Sequence, residues 1–86
     1  MTTDYAAWLV KMEVQIVAKK CKCRTCKISI HECDKKAIVR IENASPKLAS
    51  SIVIRYHDVK WGDGKLRMTV KHIPAQKLVY VNINEI

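Results

Sequence analysis

Four cysteines and one histidine fall within a short span of the chain: Cys21, Cys23, Cys26 and Cys33, with His31 between the last two. Thiolate sulfur and imidazole nitrogen are the ligands that zinc prefers, and two thiols separated by two residues can also close on each other. Spacing decides which chemistry is open. Thr25 to His31 alternates Cys26, Ile28 and Ile30 with Lys27, Ser29 and His31, the period-two pattern of a strand. At about 3.3 Å per residue, an extended Thr25 to Glu32 sets Cys26 and Cys33 on the order of 20 Å apart. A tetrahedral zinc needs its ligand atoms within about 4 Å of one another. The predicted zinc ligands are therefore Cys21, Cys23 and Cys26, completed by His57, His72 or a residue of another chain, with Cys33 left out.

Cys23-x2-Cys26-x4-His31 resembles the first three ligands of a retroviral-type zinc knuckle over nine residues, but Lys36 stands where that pattern has its fourth. The chain is not assigned to that family. Two other readings stand beside zinc. Lys22, Arg24 and Lys27 would lower a thiol pKa and make Cys23-x2-Cys26 a redox pair. In a reducing compartment the thiols are otherwise simply reduced, Cys26 being a small core residue.

Lys19 to Lys27 holds five cations, three cysteines and no acid. The whole chain has 16 Lys and Arg against 8 Asp and Glu, a formal charge of +8, and its halves on either side of Asn43 carry +4 each. The charge belongs to the body of the protein, and it favours anionic partners, nucleic acid first. The predicted nucleic-acid contacts are Lys19, Lys20, Lys22, Arg24 and Lys27 from the basic run, and Arg55, Lys60, Lys65, Arg67 and Lys71 from a cationic strand face. Tyr5, Trp8, Tyr56, Trp61 and Tyr80 offer stacking surfaces, although the phase of Tyr56 and Trp61 places them in the core. The expected function is a small basic module that binds RNA or DNA on a β-sheet face. The alternative is a protein-interaction or inhibitor domain docking on an acidic protein surface, with a free strand edge as one route. A viral or mobile-element accessory factor fits the size alone. No nucleophile motif and no usefully spaced carboxylate pair occurs, so no enzyme is expected.

The elements that position these residues centre on Ile52 to His72. Ile52, Ile54 and Tyr56 alternate, as do Leu66, Met68 and Val70, and Asp63-Gly64 between them is a strong hairpin signal. A turn there pairs Gly62 with Lys65, Trp61 with Leu66, and Val59 with Met68. A bulge at His57-Asp58 would then pair Tyr56 with Val70 and Ile54 with His72, setting Arg55 against Lys71. Thr3 to Met12 predicts a short helix capped by Thr3 or Asp4, followed by a strand over Val10 to Lys19. Ala37 to Ile41 and Lys77 to Asn84 complete the strands, the last with Val79, Val81 and Ile83 inward, and Lys47 to Ser50 makes one helical turn. The expected fold is all-β and mainly antiparallel, a barrel or two-layer sandwich of five or six strands in one domain over residues 1–86.

Composition bounds the class. At 49% hydrophobic and 28% charged residues the chain is of globular type. It has no apolar run near the roughly 20 residues of a membrane span, and its start lacks the layout of a secretory signal. A soluble, intracellular, cytoplasmic protein is the expectation.

Overall fold

The computed structural model describes residues 2–86, beginning with a helix of 18 residues, α1 (Thr3–Lys20). Thr2, rather than Thr3 or Asp4, is the N-cap: its hydroxyl accepts the Tyr5 N–H at 3.2 Å. Asp4 in the first turn and Lys19 and Lys20 in the last complement the helix dipole. Ala6, Ala7, Val10, Val14, Val17 and Ala18 recur at three- and four-residue spacing and are buried. The strand expected over Val10 to Lys19 is therefore helix. The alternation of Val10, Met12, Val14, Ile16 and Ala18 is present, but the backbone divides it between opposite helix faces, with Met12 and Ile16 outward.

Five antiparallel strands follow: β1 (Lys27–Cys33), β2 (Lys36–Glu42), β3 (Val59–Trp61), β4 (Leu66–Ile73) and β5 (Leu78–Glu85), in sheet order β1-β2-β5-β4-β3. A second helix, α2 (Pro46–Tyr56), lies between β2 and β3. The register aligns Ala37 with Ile83, Val39 with Val81, Ile41 with Val79, and Met68 with Ile83, all buried on one face. Both helices cover that face, α1 against β1, β2 and β5, and α2 against β4. The all-β expectation is thus corrected. The chain is 38% helix and 39% strand, and its sheet stays open, with β1 and β3 as edges, instead of closing into a barrel. Two helices supply the second layer that an all-β sandwich would need a second sheet to provide. Among the described residues, no helix is long and apolar enough to cross a membrane.

The second correction falls on the segment before the hairpin. Ser45 accepts the Leu48 N–H at 3.2 Å as N-cap and Pro46 occupies the first turn, so α2 runs on to Tyr56 in place of a single turn followed by a strand. Its buried residues Leu48, Ala49, Ile52 and Tyr56 follow helical spacing, and Ile54 is 82% exposed. No bulge forms at His57-Asp58. His57 caps the helix, and Asp58 at φ 51° turns the chain into β3. Arg55 consequently does not oppose Lys71; it pairs with Glu13 of α1 and ties the two helices together. Among the described residues, the buried Tyr56 hydroxyl beside that pair has no hydrogen-bond partner, and burial, then the Glu13 charge, push its ionisation upward.

The hairpin itself has the expected register. Val59 pairs with Met68 and Trp61 with Leu66, the Lys65 N–H donates to the Gly62 carbonyl at 3.1 Å, and both Asp63 and Gly64 have positive φ. Trp61 packs edge-on against Tyr56, ring centres 6.2 Å apart. This places both aromatics against the core, as their phase suggested.

Candidate nucleic-acid interface

Alternation along a strand puts every second side chain on the sheet face that the helices leave open. Tyr80, on the central strand β5, anchors one row across that face: Lys71 on β4 and Arg40 on β2 stand directly opposite it, and Ser29 on β1 stands opposite Arg40. The neighbouring rows carry Thr69, Asn82, Ile38 and His31, and then Lys60, Arg67, Asn84, Lys36 and Cys33. Lys27 opens β1 opposite Glu42. All five strands thus contribute to a face about 19 Å wide, given strand spacings near 4.8 Å.

Two of its cations are engaged. Arg67 Nε donates to Asp58 Oδ1 at 2.8 Å, and Arg40 Nε lies 3.5 Å from Glu42 Oε1. The Arg40 contact is an ion pair without hydrogen-bond geometry, so its shielded Nε–H has no acceptor among the described residues. The Arg40 guanidinium lies 5.9 Å from the centre of the Tyr80 ring, a cation–π contact.

The residues expected to bind nucleic acid divide into three groups. Lys27, Lys60, Arg67 and Lys71 share the open face, with Lys65 in the hairpin loop at its margin. Lys19 and Lys20 end α1, and Lys22 and Arg24 follow in the loop, where they line a cleft of about 630 Å³ with Asn43, Ser45 and Lys77. Arg55 stands apart on α2. Sequence reasoning named Tyr80 as a stacking surface but missed Lys36, Arg40, Asn82 and Asn84 around it. A signal was available for β5 alone, since once Val79, Val81 and Ile83 are placed inward, Tyr80 and Asn82 between them must face out.

Three of the thiols, Cys21, Cys23 and Cys26, lie where the end of α1 leads into β1. Cys21 caps α1; the Cys23 thiol points at the Asn43 carbonyl at 3.6 Å, and the Cys26 thiol at the Cys23 carbonyl at 3.4 Å. Cys33 ends the extended β1, opposite Lys36, as the strand geometry required. His57 caps α2, and His72 shares a row with Ile28 three strand spacings from β1, about 14 Å away. Among the described residues, no three His, Cys, Asp or Glu side chains converge on a point that could hold a metal. Cys23 and Cys26 are neighbours and supply two of the four ligands that a structural zinc takes.

The two thiols differ in character. Burial alone pushes Cys23 up, but hydrogen bonds from the Ser45 backbone N–H and hydroxyl, and from Cys26, outweigh it and lower its pKa. Cys26 is pushed up by burial and by the thiolate beside it. Iodoacetamide near neutral pH should therefore alkylate Cys23 before Cys26, because the thiolate is the nucleophile. Peptide mapping by mass spectrometry over time checks this; Cys26 labelled first would contradict the assigned hydrogen bonds. Comparison with known protein families, with curated proteins and with solved structures finds no match to this chain.

Proposed function

We propose that the protein binds single-stranded nucleic acid across the open face of its sheet. The observation that carries this reading is the row Lys71, Tyr80, Arg40 at the middle of a face to which β1, β2, β3 and β4 all contribute cations. Phosphates supply the counter-charge that such a face lacks, and release of their counterions drives association. A broad five-stranded face suits an unpaired strand better than a duplex groove, which admits a helix or a two-stranded ribbon. Unpaired bases offer a π-face to Tyr80, while Asn82 and Asn84 carry both donors and acceptors for base edges. The cleft at Lys22, Arg24 and Lys77 extends the basic surface beyond the start of β1. Binding, not catalysis, is the proposed role.

Docking on an acidic protein is a second reading, favoured by the edge strand β1, whose seven residues pair on one side only. Its outer edge is a template for strand addition. Fluorescence anisotropy with a random single-stranded oligonucleotide, a duplex and an acidic peptide separates the two. The oligonucleotide should bind most tightly, with log affinity falling against log salt at a slope of about −3 for four phosphates neutralised. Tighter binding of the acidic peptide would favour strand addition; weak, salt-independent binding of the oligonucleotide would contradict the proposal.

A further inference from the structure

Helix α1 is apolar on two opposite faces, and the fold uses only one of them. Ala6, Ala7, Val10, Val14 and Val17 are buried against the sheet, while Tyr5 (53% exposed), Trp8 (50%), Met12 (43%) and Ile16 (53%) stand on the far side. Their spacing of three, four and four residues lines them up as one stripe about 16 Å long, at 1.5 Å per residue. The Tyr5 and Trp8 rings already stack on each other, 6.1 Å apart. A helix apolar all round is normally buried all round, and a continuous exposed apolar stripe marks an interaction surface.

Charge identifies the occupant. The stripe carries Asp4 at its N-terminal end and Lys19 and Lys20 at its C-terminal end, all exposed. A complementary partner must present an apolar helix with the opposite order of charge, which a second α1 supplies when turned end for end. Antiparallel pairing sets Asp4 of each copy near Lys19 of the other and opposes the two helix dipoles favourably. Parallel pairing would set lysines against lysines. Glu13 is drawn aside by Arg55 of α2 and adds no acid to the seam.

We propose that α1 is a self-association helix through which two copies of this chain pair antiparallel, Met12 of each lying near the two-fold axis. The dimer buries the stripe and leaves both open sheet faces outward, on opposite sides of the assembly.

Sedimentation velocity on the full chain, from about 1 µM to about 500 µM, tests this, because a small helix-to-helix interface implies dissociation within that range. The parent chain should move from one copy toward two as concentration rises. Met12→Glu and Ile16→Glu, both at exposed positions, should each weaken pairing at least 100-fold while the circular dichroism spectrum stays that of the parent. Asp4→Lys should weaken it about tenfold, and adding Lys19→Asp should restore it, which fixes the antiparallel sense. A parent chain that stays single at the highest concentration overturns the proposal and leaves the stripe to a different protein. A dimer that survives Met12→Glu, or one that the charge exchange fails to restore, overturns it equally.

Discussion

Arg40→Gln combined with Lys71→Glu should bind a single-stranded oligonucleotide about a hundredfold more weakly than the parent at moderate salt, a loss near 3 kcal/mol. These residues stand on either side of Tyr80 in one row, so the double variant removes both charges that flank that ring's position. The dependence of log affinity on log salt should flatten by about 1.4, the worth of two phosphate contacts on a single strand. Tyr80→Ala makes the informative comparison. Losing a stacking platform costs about 1–3 kcal/mol but leaves the salt slope alone. All three side chains lie on the face away from the core, so the fold should persist, as circular dichroism would verify. Unchanged affinity in the double variant would mean that another surface is used.

Ile52→Ala should cost about 2–5 kcal/mol, whereas Ile54→Ala should change stability by less than about 0.5 kcal/mol. Ile52 is fully buried on the inner face of α2, and Ile54 is 82% exposed two residues later. At roughly 0.05–0.15 kcal/mol per residue an 86-residue chain holds about 4–13 kcal/mol in all, so the first variant approaches the limit of folding. Its melting temperature should fall by more than about 10 °C. In a strand both isoleucines would share one face and both substitutions would be costly. Thermal denaturation of the pair therefore distinguishes helix from strand directly.

The difference between those two isoleucines shows where the sequence was legible. Hairpin chemistry is local: Asp63-Gly64 dictates positive φ, and the turn then dictates the pairing of Trp61 and Val59 across it. β1, β2 and β5 were equally readable, because Ile28 and Ile30, Val39 and Ile41, and Val79 through Ile83 alternate cleanly. The helices were not. In α1 and α2, β-branched residues at even spacing satisfy the strand pattern while Val10, Val14 and Val17, or Leu48, Ile52 and Tyr56, satisfy the helical one. Capping by Thr2 and Ser45, and the sheet face waiting to be covered, decide between them. Extending the strand pattern back through Tyr56 then invented the Arg55 and Lys71 opposition. Lys60 and Arg67 still share a face because they pair in the part of the hairpin that was right, and Lys71 joins them because β4 keeps its alternation. The centre of that face stayed hidden, since Tyr80 and Arg40 become neighbours only once β5 is inserted between β2 and β4, an order that no local pattern encodes.

Amide chemical-shift mapping during titration with a short single-stranded oligonucleotide tests the central claim most directly. Binding on the open face should perturb Lys71, Tyr80, Asn82 and Arg40 most strongly, with effects fading toward Lys27 and Lys60 at the sheet margins. Perturbations centred on Tyr5, Trp8, Met12 and Arg55, on the helical side of the molecule, would contradict it.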